Sequence, residues 1–187
     1  MTTTGTTTTG TTASGRAAAE RRPLVVVTGV SGSGKTTVGR MLAERLGVPY
    51  ADADDFHPPE NIAKMSAGTP LDDADRLPWL DAIGDWLARH AEHGGVASCS
   101  ALKRCYRDRL AGCAPTAFFV HLDGSPELID ARMRARRGHF MPPALLRSQF
   151  ADLQSLAADE TGATVPIGGT AEDTVRRALA VLPGVGA

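Results

Sequence analysis

The sequence predicts an α/β fold in three layers, with a parallel sheet of about five strands between helices. Three observations carry that prediction. Short apolar runs alternate with stretches of helical periodicity from Pro23 onward. The first run, Leu24-Val25-Val26-Val27-Thr28, reads as a buried strand. It leads into Gly29-Val30-Ser31-Gly32-Ser33-Gly34-Lys35-Thr36, which fits G-x-x-x-x-G-K-[ST], and then into a helical stretch from Thr37 to Leu46. Strand, glycine loop and helix in that order are the context a phosphate-binding loop requires.

Each further element has its own signal. Gly47 suits the position past a helix C-terminus, so Val48-Pro49-Tyr50-Ala51-Asp52 is expected as the second strand. Gly95–Ser100, Thr116–Leu122 and Ala163–Ile167 supply the third, fourth and fifth. Among the helices, Val38, Met41, Leu42 and Leu46 share one face. Trp79, Ile83, Trp86 and Leu87 share another, with Pro78 expected near the first turn and Trp79 in the core. Ser125-Pro126 reads as an N-cap followed by a proline at the first helical position. Thr170-Ala171-Glu172-Asp173 resembles a capping box.

Composition narrows the function classes. The 187 residues are 42% hydrophobic, enough for one domain, expected over 23–187 with a lid around 132–150. Residues 1–22 are rich in Thr and Gly, lack apolar side chains to bury, and are expected to be disordered rather than a secretory signal. A formal net charge of −1 gives no basic field for nucleic acid or an anionic membrane. No apolar run nears the roughly 18 residues of a membrane span. Cys99, Cys105 and Cys113 show no C-x-x-C spacing, so reduced thiols in a cytosolic protein are expected and no zinc site.

Ligands of such a sheet bind beyond the carboxyl ends of its strands. Asp52, Asp54, Ser98–Lys103 and the glycine loop should therefore meet in one cleft. Backbone N–H groups from Gly29 to Thr37 would cradle phosphates, with Lys35 reaching the β- and γ-phosphates and Thr36 ligating Mg²⁺. Asp52 and Asp54 would point the same way if the strand continued, one orienting the metal through water and the other accepting a hydroxyl proton. A solvated Asp-rich turn is the alternative for both. His57 is either a solvated loop residue or a ligand contact. Arg76 stands among aspartates that suit a helix start, or binds an anionic substrate group. Lys103 and Arg107 share a helical face and would suit a carboxylate or phosphate, whereas Arg104 and Arg109 read as solvated. Arg132, Arg134, Arg136 and Arg137 would neutralise a transferring phosphoryl group from a lid.

The ordered series of motifs resembles the gluconate kinases of the P-loop shikimate-kinase-like and nucleoside-monophosphate-kinase-like group. It comprises the glycine loop, Asp54 with His57-Pro58, Asn61-Ile62 with Lys64-Met65, and Gly68-Thr69-Pro70-Leu71. Asp75-Arg76 with Pro78-Trp79-Leu80, Cys99-Ser100-Ala101-Leu102-Lys103 and Tyr106-Arg107-Asp108 continue it. Gly138-His139-Phe140-Met141 and Ser148-Gln149-Phe150 complete it, so the resemblance covers roughly 24–182. It implies transfer of phosphate from ATP, with Mg²⁺, to the 6-hydroxyl of D-gluconate by a cytoplasmic homodimer. It implies Lys35, Asp54 and Arg136 as catalytic, Asp52 in the outer shell of the metal, Arg132 near adenine and Arg136 near the phosphates. Gluconate would lie among Asp54, His57, Arg76, Lys103, Arg107, His139 and Gln149. Two departures stand out: Cys105 replaces a basic residue, and Gln154-Ser155-Leu156 replaces a more acidic, proline-containing stretch. Kinases of other small acceptors, such as shikimate or a nucleoside monophosphate, are the nearest rivals. A shikimate kinase would be expected to carry Gly-Gly-Gly where this chain has Ser100-Ala101-Leu102-Lys103. A non-catalytic nucleotide-binding regulator is the rival from another class.

Overall fold

The computed structural model describes residues 22–135 and 143–185. Its strands are β1 Leu24–Thr28, β2 Tyr50–Asp52, β3 Gly95–Ser98, β4 Phe118–Asp123 and β5 Gly162–Pro166. They form one sheet in the order β2-β3-β1-β4-β5, with every neighbouring pair parallel. The helices are α1 Lys35–Leu46, α2 Pro59–Ser66, α3 Asp73–His90, α4 Arg104–Cys113, α5 Pro126–Ala135, α6 Pro143–Asp152 and α7 Ala171–Val181.

Strand β1 is central, so all five of its residues are buried, and its alternating side chains serve two cores. Val25 and Val27 pack with Val38 and Leu42 of α1 and Val175 and Ala178 of α7. Leu24 and Val26 pack on the other face with Trp79, Leu80, Ile83 and Leu87 of α3 and Tyr106 and Leu110 of α4. Helices on both faces are what buries a parallel sheet, and the three-layer expectation holds.

Local signals held where chemistry is local. Gly47 ends α1 at φ 63° and Thr170 forms a full capping box with Asp173. Ser125 Oγ accepts from the Leu128 N–H at 3.2 Å. Boundaries shifted where a cap intervened. Asp72 caps α3 in a reciprocal box with Asp75, so the helix starts at Asp73 and Pro78 lies inside it rather than in its first turn. The second strand ends at Asp52, as expected, and the continuation that would have aligned Asp54 with Asp52 does not occur, because the Asp52 side chain accepts from the Asp54 N–H at 3.2 Å and starts a 3-10 turn over Ala53–Phe56.

Arg107 corrects the expectation that it binds substrate. Its side chain is 1% exposed and forms a two-pronged pair with Glu160, Nε to Oε2 at 2.5 Å and Nη2 to Oε1 at 2.9 Å. Nη1 donates to the carbonyls of Leu102 at 3.1 Å and Gln154 at 3.0 Å, and Nη2 to that of Ser155 at 3.3 Å. The guanidinium is thus spent on protein groups and pins the loop before β5 against the turn after β3. Ala101, whose carbonyl also lies 3.3 Å from Nη1, has φ 36°. A left-handed alanine costs about 1–2 kcal/mol, offset here by buried charge-assisted hydrogen bonds. Gln154, one of the departures from the family pattern, joins the same lock. It accepts from the Arg104 N–H at 2.5 Å and donates its own N–H to the Leu102 carbonyl at 2.9 Å. Arg104, expected to be solvated, forks onto Asp159 at 2.9 and 3.0 Å.

Two expected outcomes follow from this packing. Gly39 of α1 faces the sheet, where an added Cβ would lie 2.5 Å from Ser98 Oγ and 2.8 Å from Tyr50 Cε2. Gly39→Ala should cost about 1–3 kcal/mol by overpacking, read as a lowered denaturant midpoint. Glu160→Gln leaves the Arg107 charge buried and unpaired and should cost about 3–5 kcal/mol. Arg107 holds the Glu160 carboxyl below its ordinary 4.5. The pair therefore contributes fully above that value and is lost as pH falls through the lower folded one. Acid unfolding curves should show that limb in the parent protein and a flattened one in Glu160→Gln.

Candidate active site

In the sheet register, Val27 of β1 and Asp52 of β2 both pair with Ser98 of β3. The three strands therefore end level, and the loops that follow them emerge side by side. After β1, the chain turns through Gly29, Gly32 and Gly34 at φ 140°, 83° and 97°. A Cβ on Gly29 would meet the Leu122 carbonyl at 2.8 Å, and one on Gly32 would meet Met133 of α5 at 2.7 Å. Gly34 caps α1 without a side chain, so the first-turn N–H groups of that helix keep their anion-binding capacity. Thr28, the last residue before the loop, is steadied from the next strand: its Oγ1 lies 3.0 Å from Nδ1 of buried His121. Burial pushes the His121 pKa down and keeps that ring neutral.

Lys35 folds back over the loop and donates to the Val30 carbonyl at 3.0 Å. Burial pushes its pKa down, while Asp54, Cys99 and Asp52 oppose that shift. A desolvated ammonium inside a ring of N–H groups is a strong trap for phosphate oxygen. Thr36 Oγ1 donates to Asp52 Oδ2 at 2.9 Å, and the Tyr50 hydroxyl lies 3.0 Å from the same oxygen. Tyr50 is also 2.9 Å from Ser98 Oγ, which donates to the Lys35 carbonyl at 2.9 Å. Burial raises the Tyr50 pKa to about 12, so it stays protonated. Among the described residues no cluster of three His, Cys, Asp or Glu could hold a metal by itself. A hydroxyl and a nearby carboxylate, hard oxygen donors beside a phosphate cradle, suit Mg²⁺, which takes few protein ligands and keeps several waters.

Asp54 does not extend the strand. It stands exposed on the 3-10 turn, near enough to Lys35 and His57 to bias both towards their charged forms. His57 stacks on Trp79 with ring centroids 4.7 Å apart and planes 5° apart. Burial lowers the His57 pKa, so the ring is neutral at pH 7. Trp79 is buried as expected and donates through Nε1 to the Ala53 carbonyl at 2.7 Å, which fixes the turn that carries Asp54. Among the described residues two buried side-chain atoms lack a partner, Ser33 Oγ and His57 Nδ1. Both belong to the loops after β1 and β2. Unsatisfied polar atoms are uncommon enough in a folded chain that their gathering beside one cleft fits a polar ligand.

A second, cationic group lies near enough to His57 for Arg76 to help lower the pKa of that ring. Arg76 Nη1 donates to the Tyr106 hydroxyl at 3.0 Å, and Lys103 Nζ donates to Asp73 Oδ1 at 2.9 Å. Tyr106 also donates to Asp73, and Arg76 lies 3.6 Å from the same carboxylate. Tyr106 and Lys103 hold the Asp73 carboxyl below the ordinary carboxylate range. Two cations share one carboxylate there, which leaves positive charge for an anionic ligand. Sequence reasoning found Arg76 and Lys103 but gave Asp73 only a capping role and Tyr106 none. Tyr106 sits on the buried face of α4, so its periodicity reports core and hides the hydroxyl.

The remaining expected residues divide. Gln149 of α6 is not among the acceptor-side groups but reaches the phosphate loop, accepting from the Ser31 N–H at 2.7 Å. Arg132 of α5 donates to the carbonyls of Ile167 at 2.6 Å and Gly169 at 3.3 Å, beside the loop after β5. Arg136 and His139 lie outside the described residues, as do Gly138-His139-Phe140-Met141 and residues 1–21.

The family model for shikimate kinase matches residues 31–166. A gluconokinase of Gluconobacter oxydans is 51% identical over 138 residues, covering 73% of this chain and 78% of that protein. The thermosensitive gluconokinase of Escherichia coli is 49% identical over 137 residues, 72% of this chain and 73% of the relative. The crystal structure of a gluconokinase from Sinorhizobium meliloti superposes with a TM-score of 0.80 at 46% identity, over 89% of this chain and 93% of that one. A shikimate kinase from Aquifex aeolicus shares the fold, with a TM-score of 0.58 at 18% identity. A glycine-loop kinase fold and about half of all aligned residues in common place this chain in the gluconokinase family, to which it belongs.

Proposed function

We propose that this chain transfers the γ-phosphoryl group of ATP to the 6-hydroxyl of D-gluconate, giving 6-phospho-D-gluconate and ADP. The observation that carries the reading is the level ending of β1, β2 and β3, which puts a phosphate cradle beside a carboxylate and a cationic acceptor group. About half identity with gluconokinases names the acceptor.

In this reading the N–H groups of the loop from Gly29 to Thr37, other than that of Ser31, which Gln149 takes, hold the phosphates together with the Lys35 ammonium. Thr36, with Asp52 acting through water, would hold Mg²⁺, which would supply positive charge to offset that of the phosphates. Asp54 orients the 6-hydroxyl and accepts its proton. Neutral His57, set by its stack on Trp79, donates to or accepts from a substrate hydroxyl. Arg76 and Lys103 face the gluconate carboxylate. Arg132 lies towards the adenine, and Arg136, with His139, is assigned to the phosphate and acceptor sides from the family pattern alone. Most of the rate enhancement is then positioning and electrostatic stabilisation. A cytoplasmic homodimer belongs to the same reading. That part rests on the family resemblance; no described helix is long and apolar enough to cross a membrane.

The test is ADP release from ATP and Mg²⁺ with gluconate, shikimate and nucleoside monophosphates in parallel. Turnover is expected with gluconate, and turnover confined to another acceptor would sink the proposal. Lys35→Met should reduce kcat by roughly 10²-fold or more with an unchanged circular dichroism spectrum. Asp54→Asn should lower kcat more than it raises the gluconate KM.

A further inference from the structure

We propose that Gln149 is a positioning residue on the nucleotide side, which makes the Ser31 hydroxyl a hydrogen-bond donor towards the bound phosphates. The inference rests on the reading of Gly29–Thr36 as the ATP phosphate cradle. It departs from the sequence-based expectation that Gln149 touches the acceptor.

The argument is one of donor and acceptor valence. The backbone N–H of Ser31 can only donate, and it meets the Gln149 side chain at 2.7 Å. The atom there must be the carbonyl Oε1, which fixes the amide orientation. The amide nitrogen Nε2 then faces Ser31 Oγ at 3.1 Å. An amide NH₂ can only donate, so Ser31 Oγ accepts. With that lone pair engaged by α6, the single hydroxyl proton has to point away from Gln149. The backbone N–H of Ser31, taken up by Oε1, is withdrawn from phosphate binding, and the hydroxyl becomes this residue's donor to an anion. Ser31 stands in the middle of the loop, four residues before Lys35, so its free proton is a donor the cradle can offer to a bound phosphate.

Gln149 is held firmly enough to impose this. Leu146, one turn earlier on α6, is 8% exposed within the core on the α1 side of the sheet, and Phe150 packs against the same cluster. Met133 of α5 covers the adjacent Gly32 so closely that a Cβ there would lie 2.7 Å from it. The loop segment Ser31-Gly32 is therefore seated against two helices, and the amide of Gln149 is its polar contact with one of them.

The experiment uses the full chain and reads kcat, both KM values and the affinity for a fluorescent ATP analogue. Gln149→Glu presents oxygens only, so it draws the Ser31 proton back onto itself. The expected result is a kcat lower by about 10- to 100-fold with the gluconate KM within about twofold. Ser31→Ala should show a comparable loss. Gln149→Leu combined with Ser31→Ala should be no slower than Ser31→Ala alone, since the two act as one unit. Ser31→Gly replaces Ser31→Ala in this cycle if thermal melting shows that the alanine variant does not fold. A gluconate KM that rises in Gln149→Glu at unchanged kcat would return Gln149 to the acceptor and overturn the proposal. Additive losses in the double variant would overturn it as well. Failure of the unmutated chain to bind the ATP analogue would instead remove the cradle reading itself, and is distinguishable because no substitution is involved.

Discussion

Ser98 pairs with Val27 on one side and with Asp52 on the other, so three parallel strands stop at one line. A parallel sheet has no hairpins, and each strand must hand its chain to a helix at the same edge. Three polar segments of the cleft are attached to that edge: the glycine loop, the Asp52–Asp54 turn and the segment leading to Lys103. Tyr50 and Ser98 stitch the three together with hydrogen bonds of 2.9–3.0 Å around Asp52 and the first turn of α1. A displacement of any one strand by a residue would invert its side chains and dissolve the site.

How much of this was legible in the sequence depended on the reach of each interaction. The glycine loop, the Gly47 helix stop and the Thr170 cap are settled within a few residues, and the sequence shows them. Periodicity put Lys103 and Arg107 on one helical face, but Lys103 is the extended N-cap of α4, outside the helix, and the two meet different partners. Lys103 finds Asp73 in the cleft, while Arg107 finds Glu160, which is 53 positions away. Asp54 illustrates a different failure. Period-two alternation holds only while a strand continues, and here the Asp52 side chain bonded the backbone two residues on and ended it. The Asp72 cap likewise moved the start of α3 ahead of Pro78. In each case a short polar side chain competed with regular structure and won. Contact between Gln149 and Ser31 spans 118 positions and carried no local signal at all.

Charge is arranged differently in the two halves of the cleft. Around Lys35 burial dominates: it lowers that ammonium's pKa and lifts the Cys99 thiol to about 12, so Cys99 is an inert wall rather than a nucleophile. At the other end Asp73 raises the Lys103 pKa through its hydrogen bond and keeps that ammonium charged. A dry phosphate end and a wetter acceptor end suit a reaction whose anionic donor must be stripped of water while its polyhydroxy acceptor is exchanged.

Arg107 also sets an order in time. The left-handed Ala101 and the Leu102 carbonyl beside it are held by a guanidinium whose own counter-ion is Glu160. A chain leaving the ribosome exposes the glycine loop and Asp54 more than a hundred residues before it exposes that glutamate. Up to that point the turn that presents Lys103 has no anchor, and a buried arginine has no anion. The acceptor half of the cleft is thus completed only when nearly the whole chain has been made.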